Sequence, residues 1–351
     1  MLLYPSPSDW AMYGKTPERR FFDSSSFTFP LEPAWEYDAS AGFAQSPMSI
    51  VGTTLLIGTL QGELHAVDLE TGERIGYLKT HSPVQAAPAY FKNLLIIGLE
   101  SNKENLIAYK TEIGEDIWIR DLGGVVASPL VWNDQLIAGG VNGKFVCYDQ
   151  YGIELWSVDT KSEIRSSPAL ANGIAYCATT NGEVFAVNAA DGKEIWKAKT
   201  NTAVYAGVTV ADSTVIVASR DSSIYFFNGR SGSLQRKINI RNKIMATPSV
   251  FNGIVYISSL EGTVSALKIE TGELLWTFKA QSVVNTTPFV TPSAIFVASL
   301  DKNIYALHPA DGSVLWKKEL ESRIKTTPMV WKNMLLVAAE DRTVYCFKSA
   351  P

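Results

Sequence analysis

About every 40 residues this chain returns to the same phrase: a small residue, a proline, then an apolar run. The prolines are Pro47, Pro88, Pro129, Pro168, Pro248, Pro288 and Pro328. Gly207 is read into the one register without a proline, and the spacings are then 41, 41, 39, 39, 41, 40 and 40. A second anchor, a glycine turn followed by a strand ending in tryptophan, gives the same count. It starts at Trp35, recurs at Trp118, Trp156, Trp196, Trp276 and Trp316, and keeps its turn but not its indole at Gly76 and Arg236. These spacings are 41, 42, 38, 40, 40, 40 and 40. Two independent anchors with one period identify a repeat architecture of eight units.

Within a period the pattern is all strand. Residues 246–278 read ATPSVF, NG, IVYISSL, EG, TVSALKI, ETG, ELLWTF, which are short β-branched and aromatic runs cut by glycine-bearing turns. Antiparallel hairpins need such turns, and four strands per period make one meandering sheet. No window carries a capped 3.6-residue periodicity, so helix content near zero is expected.

A lone four-stranded sheet has two apolar faces to cover. Radial stacking covers both and leaves only short edges. The expected fold class is therefore all-β: an eight-bladed β-propeller of four-stranded antiparallel blades. Trp35, Trp118, Trp156, Trp196, Trp276 and Trp316 are read as structural wedges between blades, each ring burying roughly 150–250 Å² and its N–H seeking a neighbouring carbonyl. The last repeat stops at Pro351 before any tryptophan strand of its own, whereas PAWEYDA precedes the first proline. Residues near Trp35 are thus expected to complete the last blade and close the ring with an N-terminal strand. The chain then divides into an arm, residues 1–34, and one propeller, residues 35–351. The arm carries Trp10, Phe21, Phe22, Phe27 and Phe29 and reads as an extended segment lying on the propeller or as partly disordered.

Composition narrows the function. A net charge of −4 argues against a nucleic-acid partner. No apolar run approaches the length of a membrane span. The opening MLLYPSPSDWAMYG lacks the basic-then-apolar order of a signal peptide. The expected location is periplasmic or outer-membrane-associated if an export signal was removed, and cytoplasmic otherwise. Cys147, Cys177 and Cys346 lie in apolar runs at wide spacing and read as buried hydrophobes. His65, His81 and His308 show no metal-ligand spacing, and no Ser-His-Asp order or phosphate-binding loop occurs. No catalytic, cofactor or metal site is therefore expected, and short polar edges favour a monomer outside any complex.

The segments AVDLETGERI (66–75), AVNAADGKEIW (186–196) and ALHPADGSVLW (306–316) resemble the PQQ-like propeller repeat, broadly A-x-D-x-x-T-G-x-x-x-W. The resemblance covers residues 35–351, and DWAMYGKTPERR looks like the lead-in segment of such proteins. WD repeats would need a Trp-Asp dipeptide. Kelch repeats would need a Gly-Gly doublet per blade, and only Gly123-Gly124 and Gly139-Gly140 occur. Eight blades in a chain of this size are similar to the BamB branch, the propeller subunits of outer-membrane β-barrel assembly. That resemblance implies a non-enzymatic protein-interaction scaffold in outer-membrane protein assembly or another envelope complex. A ligand- or peptide-binding sensor propeller is the alternative. A PQQ-dependent dehydrogenase would bring an adjacent cysteine pair and a calcium-held quinone, and this sequence has no adjacent cysteines.

In a repeat protein, function is expected where the blades stop resembling one another. Four residues before each proline register the chain is apolar: Phe43, Val84, Val125, Ile164, Ala203, Ile244, Val284 and Ile324, a position read as packed between blades. Three before, it varies: Ala44, Gln85, Val126, Arg165, Val204, Met245, Asn285 and Lys325. With Lys243 and Arg323 from the preceding positions, the candidate partner-binding rim is Gln85, Arg165, Lys243, Asn285, Arg323 and Lys325. It is expected to make one channel mouth locally basic and able to hold an acidic peptide or partner loop.

Overall fold

The computed structural model describes Leu3 and residues 11–45, 47–101 and 103–349, and among these every regular element is a β-strand. The strands form eight four-stranded antiparallel sheets. Seven are continuous in sequence: blade one (48–79), two (89–120), three (130–159), four (169–199), five (209–239), six (249–279) and seven (289–319). Blade eight takes three strands from residues 329–349 and its fourth from Leu31–Asp38. Strands are lettered A to D from the centre outward. The closest strand-to-strand approaches between neighbouring blades are between A strands, which places these around a central channel.

The expected closure is present. Strand Leu31–Asp38 runs antiparallel to Thr343–Ser349, with Leu31 opposite Ser349, Trp35 opposite Cys346 and Asp38 opposite Thr343. Tyr37 on this strand shares a 2.7 Å hydrogen bond with buried His65 of blade one, so the seam is also tied sideways.

Six of the eight blade boundaries are made by one residue of a D strand leaning on the C–D turn of the next blade. The indole N–H of Trp35 donates to Leu69 O, Trp118 to Gln150 O, Trp156 to Ala189 O, Trp196 to Gly229 O and Trp276 to Pro309 O, all at 2.8–3.0 Å. An indole buries its ring and satisfies its one donor in the same contact. Where Arg236 replaces the indole, its guanidinium reaches the equivalent carbonyl, Ile269 O, at 2.6 Å, and also Glu270 O. Trp316 faces blade eight, whose fourth strand arrives from the N-terminus, and rests edge-on against Phe347.

The arm lies across the ring. From residue 11 it passes along the A strands and accepts one backbone N–H from most of them: Tyr90 donates to Ala11 O, Leu170 to Pro17 O, Val210 to Glu18 O, Val250 to Arg20 O and Val290 to Phe21 O. These N–H groups sit on inner sheet edges, where an unpaired donor is costly. Phe22 stacks on Phe251 at 4.4 Å and Phe27 packs edge-on against Phe296. Trp10 lies outside the described residues.

Candidate functional site: the open mouth of the channel

The two ends of the channel differ. At one end run the A–B turns and the arm. Tyr13 enters the channel from the arm, and its hydroxyl lies 3.2 Å from Thr247 Oγ1 and 3.5 Å from Thr287 Oγ1. Arg19 is wholly buried beside it. Its guanidinium donates to Pro168 O, Ser128 O, Pro129 O and Tyr13 O, bridging blades three and four. Burial lowers its pKa to about 9, which leaves it a cation at neutral pH, with carbonyl dipoles in place of water. Tyr13 and Arg19 stopper this end.

The opposite end stays open. It is built by the D–A loops and B–C hairpins, locked together by one hydrogen bond repeated in every blade. Leu60 N donates to Gly42 O, Glu100 to Pro83, Val141 to Gly124, Thr180 to Glu163, Arg220 to Ala203, Leu260 to Lys243, Leu300 to Val283 and Glu340 to Arg323. The resulting funnel has a volume of about 210 Å³. Its floor is Tyr13 with Ser128, Ser167 and Thr247, and its wall includes Gln45, Gln85, Arg165, Tyr205 and Met245. The floor hydroxyls are partly committed to the ring, since Ser128 Oγ accepts from Ala87 N, Ser167 Oγ from Ser128 N and Thr247 Oγ1 from Gly207 N.

The same repeated bond corrects the register of blade five. Ala203 is equivalent to Glu163 and Lys243, so Val208, not Gly207, stands in the proline register. Val204 is then the packed position, fully buried like Ile164, and Tyr205 is the residue that faces the mouth. Ala203 is half-buried and lies one step outward. Keeping strict 40-residue spacing from Pro168 and Pro248 would have found Tyr205. The small glycine drew the reading one residue early.

Gln85 and Arg165 both line the mouth. Gln85 donates to the Glu100 carboxylate, and Arg165 Nε donates to Glu163 at 2.8 Å. Arg323 and Lys325 converge on one carboxylate, with Arg323 Nε 2.8 Å and Lys325 Nζ 3.5 Å from Glu340. Asn285 is half-buried, its backbone carbonyl taken by the side chain of Gln45. Its side-chain oxygen has no hydrogen-bond partner among the described residues. Lys243 is exposed and, like Asn285, Arg323 and Lys325, lies outside the funnel wall, so the structure brings only Gln85 and Arg165 of the expected rim together there. The mouth is therefore mixed in charge, because Glu163 and Glu340 answer three of its cations. Tyr13, Arg19 and Gln45 were not singled out from the sequence, since each finds its partners more than a hundred residues away or, in Arg19's case, partly so.

The hairpin carboxylates serve their own turns. Asp221 accepts from the Tyr225 hydroxyl at 2.6 Å, Asp301 from Tyr305 at 2.8 Å and Asp341 from Tyr345 at 2.8 Å. Burial pushes the Asp221 and Asp301 carboxyls up, but these hydrogen bonds, with Lys237 at Asp221 and Asn303 at Asp301, hold both below the usual carboxylate value. Among the described residues no group of three His, Cys, Asp or Glu side chains is placed to hold a metal ion. Among the described residues no carboxylate lines the funnel, so its donor set does not fit a calcium-held quinone, which needs such oxygen ligands.

The family model described as outer membrane protein assembly factor BamB matches residues 142–235, 235–302 and 291–350. Among solved structures, BamB from Moraxella catarrhalis matches with a TM-score of 0.77 at 18% identity, covering 91% of this chain and 100% of that one. The computationally designed Ika8 protein matches at 0.78 and 18%, covering 89% and 98%. The quinohemoprotein alcohol dehydrogenase from Comamonas testosteroni matches at 0.82 and 13%, covering 98% and 81%. At these identities the structures establish the shared propeller fold. No curated protein sequence matches the chain.

Proposed function

The chain belongs to the PQQ-like repeat family described as outer membrane protein assembly factor BamB, and from that premise we propose that it is a non-enzymatic scaffold of the cell envelope. It works in the periplasm at the outer membrane and offers its open channel mouth to a protein partner in outer-membrane protein assembly. One observation carries this reading. The channel is stoppered from one side by Tyr13 and Arg19, so the blades present a single blind funnel whose wall residues, Gln45, Gln85, Arg165, Tyr205 and Met245, differ from blade to blade. Shared residues hold the ring, and the unshared ones are left to meet a partner. Tyr205, with Arg220 lying 5.5 Å over its ring, and Arg165 are the residue types that dominate interface energies.

The test is affinity recovery from detergent-solubilised envelopes with an Arg165→Glu, Tyr205→Ala double variant. Recovery of assembly partners is expected to drop at least tenfold, a loss of about 1.4 kcal/mol, while the melting temperature stays close to that of the parent. Undiminished recovery would sink the reading. The hydroxyl-lined floor supports a second one, a sensor that seats a small polar ligand or peptide end in the funnel. Binding of a short peptide by the isolated protein, lost in the same variant, would favour it.

A further inference from the structure

The eight boundary positions are occupied by six indoles, one guanidinium and one glycine, Gly76 of blade one. At six of the other seven the boundary residue presses on a glycine in the next C–D turn. A Cβ on Gly72 would stand 2.7 Å from the Trp35 ring, one on Gly152 2.7 Å from Trp118, and one on Gly232 2.6 Å from Trp196. The blade-two equivalent is Gly114. It is exposed, keeps the left-handed φ of 77° that the turn requires, and a Cβ there would find only the Tyr109 hydroxyl, at 3.6 Å. Across the gap, a Cβ on Gly76 would meet nothing within 4 Å. Beside Gly114, against the strand that carries Gly76, is a cavity of about 360 Å³ walled by Leu78, Lys79, Thr80 and His81 of that strand and the loop after it, and by Ile107, Tyr109, Gly114 and Asp116.

The receiving half of this slot keeps its aromatic ring. Tyr109 holds the same register as Tyr148, Phe227 and Phe347. Those three rings lie 5.9, 6.1 and 5.6 Å from Trp118, Trp196 and Trp316 of the preceding blade. Tyr109 supplies the ring and, among the described residues, no indole meets it. We infer that the slot between blades one and two is a binding site for a tryptophan side chain presented by a loop of a partner protein. The turn glycine and the facing aromatic ring of the other indole sockets are both present here, and the indole is not. Ile113, beside Gly114 and 57% exposed, extends the apolar lip. Glu115 and Asp116 stand exposed on the blade-two side, and Lys79 and His81 line the slot with Asp116, so the charge around that tryptophan is mixed. The site is on the outer wall, separate from the channel mouth, so either proposal can fail alone.

The experiment is an amide-resolved NMR titration of the full chain with N-acetyl-tryptophanamide, using N-acetyl-leucinamide as the control. The amides of Gly76, Ile113 and Gly114 are expected to shift saturably with the indole compound and not with the control. Gly76→Trp should fill the slot from within, abolish those shifts and raise the melting temperature by about 2 °C or more. Gly76→Ala should leave binding intact. Wild-type amides that do not respond, or a Gly76→Trp chain that still binds the probe, overturns the assignment. Should Gly76→Trp fail to fold, the wild-type and Gly76→Ala titrations decide it.

Discussion

Cys147, Cys177 and Cys346 sit on C and B strands, with at most 1% of their surface exposed. Burial pushes the Cys147 and Cys346 thiols up to about 12, and Cys177 rises further for the same reason. It also lifts the phenols of Tyr148, Tyr176 and Tyr256 to about 12. All of these are acids whose folded values exceed the unfolded ones, near 8.5 for cysteine and 10 for tyrosine. Their contribution to stability is therefore complete below about pH 8.5 and is lost as pH climbs toward 12. The urea midpoint should hold to pH 8 and fall steeply by pH 10.5. Thiol labelling should appear only with unfolding, and labelling of folded protein at pH 8 would contradict the burial. At this scale the sequence was uneven. The cysteines were legible because each lies in an unbroken apolar run. Arg19 was not, because YGKTPERR carries no periodicity and its acceptors, Ser128, Pro129 and Pro168, are reached only once the ring has closed.

At the level of the strand and its turn, one job is done by two chemistries. Indole and guanidinium both deliver an N–H to the carbonyl that opens the neighbouring C–D turn, and both side chains press on its glycine, as the Arg236 stem does on Gly272. The geometry asks for a planar group with a donor at its edge, which tryptophan and arginine share and lysine lacks. Arg236→Trp is accordingly expected to stay within about 1 kcal/mol of the parent, since it restores the arrangement of five other boundaries. Arg236→Ala should cost about 1–3 kcal/mol by leaving the Ile269 carbonyl unpaired. Urea denaturation of the pair checks the order, and equal losses would mean that the boundary needs bulk rather than the donor. The strands themselves were legible because each proline and tryptophan repeats in phase. Blade five lost its proline and its indole together, so nothing local held the register, and the one-residue error fell there and nowhere else. The resolution comes from Arg220 N to Ala203 O, a contact between a hairpin and the loop before it that no single-strand pattern contains.

For the molecule as a whole, the arm and the closing strand do different work. Strand Leu31–Asp38 completes blade eight by a full ladder of sheet bonds. Among the described residues the arm before it adds no full strand to any blade, although Phe22 makes an isolated parallel bridge to Val290. It crosses the ring and takes inner-edge N–H groups from blades two, four, five, six and seven, while Arg19 takes carbonyls from three and four. Five blades of one ring are thus tied to a single continuous segment, so a fluctuation that opens the ring must first peel that segment away. Deleting residues 1–28 while keeping the closing strand should leave eight blades folded but loosen them unevenly. Amide exchange is expected to accelerate at least tenfold at Tyr90, Leu170, Val210, Val250 and Val290. Ile50, Val131 and Val330 hold the same register without an arm carbonyl among the described residues, and should change little. Uniform acceleration over all eight positions would mean that the arm acts on global stability alone. Acceleration confined to the five would make it a staple across the channel, and the same deletion, by removing Tyr13, would turn the blind funnel into an open pore.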